Sequence, residues 1–544
     1  MRGQMMEQAL LISGLLKHAE NCHADTEIVS RRVEPAEGAA RFHRSNWQQI
    51  GTRARQMANA LTQRGMQKGD RIGTLAWNGY RHLELYYAIS GAGAVIHTIN
   101  PRLFPEQIAW IINHAEDRVL FFDINLAPLV EKIAPLCPVV QTWVAMTDAA
   151  HRPSQAIPNL VCYEDLINEQ SDDYVWPDLD ERDAACLCYT SGTTGNPKGA
   201  LYSHRSTVLH AFSSALPDVM NVSARDVVLP IVPMFHVNAW GIPYTAPLVG
   251  FKLVLPGAAL DGASLCEMFA NEGVTFSAGV PTVWLGMINH VREHAIKLPA
   301  LQRCLVGGSA CPPALFDAFE RELGVKLQPG WGMTEMSPLG AVNSLKKKHL
   351  DLPEAQRKAV ELKAGRLVFG VEAKIIDGDG KELPHDGVAF GDLLVRGPWV
   401  IDRYYKVDAS PLVDGWFPTG DVATMDPDGF IGITDRSKDV IKSGGEWISS
   451  IDLENIAMSH PAIAEAAVIG VAHPKWDERP LLVVVKRPGQ DVSAAELIAH
   501  YDGRIAKWWT PDDVAFVDEL PHTATGKVQK LKLREQFRDH QLPG

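Results

Sequence analysis

The sequence predicts an α/β fold of sheets covered by helices, followed by an antiparallel β subdomain and a small α+β domain at the C-terminus. Three observations carry this. Short apolar runs alternate with amphipathic stretches over about the first 340 residues, the pattern of a largely parallel sheet with covered faces. After Leu362 the texture changes to glycines, aspartates and short β-type runs, which favours antiparallel pairing. From Lys438 a last segment carries enough helix and strand signals for a domain of its own.

Taken in order, residues 9–19 read as an amphipathic helix interrupted by Lys17 and His18, and the preceding methionine-rich start has no clear signal-peptide pattern. Arg71–Trp77 reads as a buried strand, Arg81–Ser90 as a helix and Ala94–Thr98 as a β-branched strand. The same rhythm recurs at Asp117–Phe122, Val227–Val232, Lys252–Leu255, Thr275–Ala278 and Arg303–Val306. Residues 345–365 are charged and helical, a surface connection. Ile375-Ile376-Asp377-Gly378-Asp379-Gly380 is a strand entering a tight turn. The last segment predicts a helix at Asp452–Ser459, strands at Ala464–Val471 and Pro480–Lys486, a helix at Ser493–Ala506 and a strand at Asp513–Phe516. The expected division is residues 1–437 as a large domain and 438–544 as the small domain.

Composition narrows the function. The formal net charge is -13, a field that repels nucleic acid and anionic membranes, and no apolar stretch approaches a membrane span. The lysine run Lys346–Lys348 reads as a solvated surface. Eight scattered cysteines without Cys-x-x-Cys read as reduced core residues; Cys186 and Cys188 would share one strand face. A cytoplasmic protein is expected.

The strongest chemical signal is Tyr189-Thr190-Ser191-Gly192-Thr193-Thr194-Gly195-Asn196-Pro197-Lys198-Gly199, which follows the apolar strand Ala184–Cys188. Glycines, hydroxyls and exposed backbone N–H groups suit phosphate oxygens, and Lys198 adds charge. It is not a Walker loop, because Pro197 and Gly199 occupy the positions of that pattern's second glycine and its hydroxyl.

This segment resembles the signature loop of the AMP-forming adenylating superfamily, which includes acyl- and aryl-CoA synthetases, firefly luciferase and the adenylation domains of peptide synthetases. The family's other motifs follow in order. Gly307-Gly308-Ser309-Ala310 resembles the segment beside the adenine, where small residues admit a flat base. Gly330-Trp331-Gly332-Met333-Thr334-Glu335 resembles the aromatic-Gly-x-Thr-Glu segment. The resemblance implies that Trp331 stacks near the adenine, Gly332 and Met333 line the nucleotide, Thr334 bonds the α-phosphate and Glu335 holds magnesium, a cation that takes hard oxygen ligands. Thr419-Gly420-Asp421 resembles the ribose segment, and Asp421 can accept from both ribose hydroxyls. Asp435-Arg436-Ser437-Lys438-Asp439 resembles the junction, with Arg436 on ribose and Lys438 at the hinge. Lys442, Gly444, Gly445 and Glu446 would serve the coenzyme A step. Pro521–Lys527 resembles the C-terminal motif, making Lys527 the catalytic lysine that neutralises charge between substrate carboxylate and α-phosphate.

The resemblance spans roughly residues 45 to 535 and implies ATP, Mg2+ and coenzyme A as reaction partners. The implied reaction is activation of a carboxylic acid as an acyl-adenylate, then transfer to the thiol with release of AMP. Local wording is closest to bacterial medium-chain fatty acyl-CoA synthetases and to 3-methylthiopropionate (3-methylmercaptopropionate)-CoA ligases, through Trp77-Asn78, Ile99–Leu103, Phe235–Gly241 and Ser443–Ser449. His236 and Trp240 would border the acyl pocket with Gly307 and Gly332, and His236 would also take part in catalysis. No cation stands in the segment around Trp240 to pair a polar tail, so an apolar one is expected; a plain alkyl and a thioether chain remain equal alternatives. Transfer to a carrier protein's phosphopantetheine is the rival reading, and a non-catalytic nucleotide sensor a second. Relatives are often homodimers, so a homodimer is an expectation of the resemblance alone.

Overall fold

The computed structural model describes residues 1, 3–190, 196–443, 446–522 and 528–542, with backbone only at Ala39, Glu446 and Trp447. Among the described residues the strands form three sheets. The first has seven strands, in the order Leu160–Cys162, Thr142–Ala145, Val119–Phe122, Arg71–Leu75, Val95–Thr98, Ala184–Tyr189 and Gly199–Ser203. Its neighbours are parallel until the last strand, which returns antiparallel with Tyr189 opposite Gly199. The hydroxyl- and glycine-rich segment therefore joins two paired strands at one end of the sheet.

The second sheet has thirteen strands and changes character along its width. One side is mainly parallel and contains Lys252–Leu255, Val227–Pro230, Phe276–Gly279, Arg303–Val306 and Leu327–Gly332. The last of these pairs in parallel with Arg303–Val306 on one edge and antiparallel with Leu339–Val342 on the other. From there the sheet continues antiparallel through Gly365–Leu367, Phe430–Arg436, Phe417–Met425, Phe390–Arg396 and Glu372–Ile376. The predicted turn after Ile376 is closed by Asp377, whose Oδ1 accepts from the N–H groups of Asp379 and Lys381 at 3.0 and 2.9 Å. The third sheet holds Glu446–Ile448, Ile441–Ser443, Asp477–Lys486, Ile463–His473 and Asp513–Phe516. It packs on its own core of Ile441, Leu453, Ile463 and Leu482.

Several boundaries differ from the sequence reading, each for a local reason. The first helix is Ile12–Cys22, and Lys17 and His18 form its outer face while Ile12, Leu15, Leu16 and Ala19 are buried at helical spacing. The strand from Arg71 ends at Leu75, because the chain then turns and Trp77 N–H donates to Asp123 Oδ2 at 2.7 Å. The predicted helix Ser493–Ala506 is only Ala494–Ala499; Gly503 follows at φ +72°, a turn conformation that a helix cannot continue through. The run Lys346–Lys348 is not simply solvated: Lys346 and Lys348 pair with Asp428 at 3.0 and 2.6 Å, fastening the connecting helices to the antiparallel side and holding that carboxyl well below its usual range. Among the described residues no helix is long and apolar enough to cross a membrane.

Candidate active site

Most of the predicted site residues that are described lie beyond the C-terminal ends of parallel strands or where the thirteen-stranded sheet changes from parallel to antiparallel. Crevices at such strand ends are where α/β sheets bind ligands. Trp331 sits near the end of Leu327–Gly332, against Gly340, where a Cβ would come within 2.6 Å of the indole. Its Nε1–H donates to Asp421 Oδ2 at 3.0 Å, and Arg436 donates to Asp421 Oδ1 at 2.5 Å. Register places Asp421 directly opposite Arg436. Asp421 is 5% exposed. Burial lowers the Arg436 pKa, but the Asp421 carboxylate outweighs it and the net shift is upward.

Thr334 and Glu335 follow in the short helical turn Thr334–Met336 and are both buried. Two tyrosines that sequence reasoning missed hold this turn. Tyr202 OH donates to Thr334 O at 2.5 Å, and Tyr404 OH donates to Glu335 Oε1 at 2.8 Å. Burial first, and then Glu335, push the Tyr404 phenol above its ordinary value, so it remains a donor. Lys198 Nζ lies 4.9 Å from the centroid of the Tyr404 ring, which brings the loop's lysine towards Glu335. The base of that loop is closed by Thr190, whose N–H donates to Lys198 O at 2.9 Å and whose Oγ1 accepts from Lys198 N–H at 3.3 Å. No spacing signal marked Tyr202 or Tyr404, and neither belongs to a motif in the sequence.

Trp240 stands opposite two glycines. A Cβ on Gly307 would meet Trp240 Cη2 at 3.1 Å and Gly330 O at 2.7 Å, and one on Gly308 would meet Val280 Cγ1 at 3.2 Å and Trp240 Cζ2 at 3.8 Å. Gly332 is equally confined, with Pro338 O at 2.0 Å from its Cβ position. The chain reaches Trp240 through an unusual turn: Val237, Asn238, Ala239 and Trp240 all have φ between +46° and +54°. For L-residues this hand costs roughly 1–2 kcal/mol per residue, so the surrounding structure must impose it. His236 N–H donates to Pro233 O at 3.0 Å, and His236 lines a small pocket with Phe235, Tyr189, Thr98 and Asn100. Ser309 and Met333 flank these groups, exposed and half-buried respectively.

At the junction, Ser437 Oγ donates to Asp392 Oδ1 at 2.6 Å, while Arg534 donates to Asp439 Oδ1 at 2.9 Å. Lys438, between them, is exposed, and partial burial lowers its pKa. Lys442 lies on the strand Ile441–Ser443 and Glu446 begins the strand Glu446–Ile448. Ser191, Gly192, Thr193, Thr194, Gly195, Gly444, Gly445 and Lys527 lie outside the described residues.

Residues 16–405 match the family described as AMP-binding enzyme, and residues 452–527 match the AMP-binding enzyme C-terminal domain. The chain is 56% identical over 540 residues to the 3-methylmercaptopropionyl-CoA ligase of Ruegeria lacuscaerulensis, covering 99% of each. It is 50% identical to the medium-chain-fatty-acid–CoA ligase of Ectopseudomonas oleovorans, covering 99% of this chain and 98% of that one. Among solved structures, the anthranilate CoA ligase AuaEII in complex with anthranoyl-AMP superposes with a TM-score of 0.85 at 25% identity, covering 99% of both chains.

Proposed function

The chain belongs to the AMP-binding enzyme family and is an AMP-forming acyl-CoA ligase, an acid–thiol ligase that uses ATP; on that premise we propose its substrate class and how its residues divide the work. The substrate is a short- to medium-chain unbranched acid with an apolar tail, either an alkyl acid or 3-methylthiopropionate. The observation that supports this is the Trp240 indole packed over Gly307 and Gly308, with Val280 beside them, an apolar surface with no cation in the Trp240 segment.

In the first half-reaction a carboxylate oxygen of the acid attacks the α-phosphorus of ATP, and the bond to pyrophosphate breaks. Two anions meet, so positive charge must be concentrated there. Lys198 and Lys527 supply it from the chain. The residues fit a magnesium ion: Glu335 offers a buried hard-oxygen carboxylate oriented by Tyr404, and the cation would neutralise phosphate charge when bound. Thr334 binds the α-phosphate, Thr190, Ser191, Gly192, Thr193, Thr194 and Gly195 cradle the phosphates, and Asp421 with Arg436 holds the ribose beside Trp331. Gly307, Gly308, Ser309, Gly332 and Met333 line the base and the acyl carbonyl.

In the second half-reaction the thiol sulfur of coenzyme A attacks the acyl carbon, the carbon–sulfur bond forms and AMP leaves. His236 borders that path, and Lys442, Gly444, Gly445 and Glu446 serve it after residues 438–544 reorient about Lys438. Support for the hinge comes from its flanks: Ser437 is fastened to Asp392 and Asp439 to Arg534, leaving Lys438 between two anchors. A cytoplasmic homodimer is the expected form.

The test is AMP and acyl-CoA release with ATP, magnesium, coenzyme A and a panel from acetate to palmitate that includes 3-methylthiopropionate. Turnover that depends on both acid and coenzyme A, falling off at long chains, is expected. A preference for palmitate or for a charged acid would overturn the substrate class.

A further inference from the structure

We propose that Asn238 is a positioning residue that sets acyl selectivity through Trp240, an inference that rests on the reading that the acyl tail lies against Trp240. Four consecutive residues without a glycine hold a left-handed turn from Val237 to Trp240. Asn is the one residue type of the four that visits this region readily; β-branched Val237 is a genuine outlier there. Asn238 is also the turn's one buried polar side chain, 3% exposed.

Its carboxamide is clamped on several sides. Oδ1 accepts from the thiols of Cys186 and Cys188 at 3.2 and 3.3 Å and lies 3.4 Å from the Tyr86 hydroxyl, which donates to Met234 O at 2.5 Å. Nδ2 lies 3.1 Å from Cys186 Sγ and 3.5 Å from Tyr244 OH. Cys186 and Cys188 project from one face of Ala184–Tyr189, the strand that runs into the Thr190 loop. Asn238 thus ties the turn to the strand that carries the nucleotide loop. Three residues on, Gly241 at φ +77° closes the turn against His210, with a Cβ position 2.6 Å from the ring. The direction of the Trp240 indole is therefore set by a buried amide that touches no substrate.

The experiment is a double-mutant cycle read as kcat/KM for octanoate relative to butyrate. Asn238→Gly keeps the backbone permitted and deletes the amide. It is expected to shift the ratio about tenfold, the scale of a displaced pocket wall. In a Trp240→Ala background the same change is expected to leave the ratio unaltered, since coupled residues are non-additive. Should Asn238→Gly fail to fold, Cys186→Ala removes one of the clamping thiols and is expected to shift the ratio in the same direction. If Trp240→Ala moves the ratio and both other variants leave it unchanged, the positioning role is refuted. If Trp240→Ala itself leaves the ratio unchanged, the acyl-pocket reading falls.

A separate observation supports a second site. On helix Pro281–His294, the side chains of His290, Glu293 and His294 bring one ligand atom each to within 4.8 Å of one another. We infer that they form a transition-metal site of two imidazoles and one carboxylate, the donor set that zinc accepts. His294 Nδ1 is 3.1 Å from His290 O, a hydrogen bond that fixes the tautomer and frees Nε2 as ligand. The helix ends here, where its dipole favours a cation. Isothermal titration of the tag-free, metal-free full chain with zinc alone is expected to show one equivalent that is lost in the double variant His290→Ala, His294→Ala. No zinc uptake, or the same uptake in the variant, would overturn the site.

Discussion

Replacing Gly307 by alanine tests the proposed acyl pocket beside Trp240 most directly. The added methyl would stand 2.7 Å from Gly330 O and 3.1 Å from Trp240 Cη2. The first contact is with backbone in a strand paired on both edges, so it cannot be relieved by a rotamer change. The second pushes on the indole that forms the pocket's wall. Overpacking of this kind costs about 1–3 kcal/mol. Because each 1.4 kcal/mol is tenfold, kcat/KM for the acid is expected to fall about five- to a hundredfold, most steeply for the longest acid that the wild type accepts. Steady-state kinetics across a series of straight-chain acids reads this, with the apparent KM for ATP as an internal reference. An unchanged chain-length profile would refute the placement of the acyl group beside Gly307.

The remaining predictions concern the groups around it. Asp421→Asn removes the charge that Arg436 pairs with and leaves one oxygen for the Trp331 and Arg436 donors; hydrogen bonds to charged groups are worth about 1.5–3 kcal/mol, so the KM for ATP should rise at least tenfold, measured by AMP release at saturating acid. Tyr404→Phe deletes the hydroxyl on Glu335 Oε1 and should raise the magnesium needed for half-maximal adenylation about tenfold, read by a magnesium titration. Lys527→Ala should lose adenylation far more than thioester formation from supplied acyl-adenylate; equal loss in the two half-reactions would contradict its assignment to the first. Burial raises the Asp123 carboxyl to about 7. The native state therefore holds its proton above the pH at which the unfolded chain releases it, and stability falls as pH rises from the ordinary carboxylate range to about 7. Asp123→Asn should remove that slope, so its melting temperature should gain on the wild type across this window and hold its lead above it.

The sheets were legible because their strands are short apolar runs separated by amphipathic helices, and the change of texture near residue 362 marked the antiparallel part. That part begins earlier, at Leu339–Val342, because the pairing partner of Leu327–Gly332 is decided by tertiary contact and not by local composition. Motif residues such as Trp331, Asp421 and Arg436 were legible as a set, and the structure brings those three into one hydrogen-bonded group. Tyr202 and Tyr404 escaped, since an aromatic that donates one hydroxyl across the fold leaves no periodic signal. The turn at Val237–Trp240 was illegible: Asn238 alone tolerates the left-handed conformation readily, and one asparagine does not announce four such residues in a row.

The strand Leu327–Gly332 is hydrogen-bonded in opposite senses on its two edges, and that has a mechanical consequence. The parallel block and the antiparallel block are spliced through a single backbone, so neither can swing away without shearing main-chain hydrogen bonds. Trp331 and the Thr334–Glu335 turn ride on that splice as a fixed bench. On the proposed two-step reaction, rearrangement falls to the chain beyond Arg436, while the bench stays in place from the first bond broken to the last.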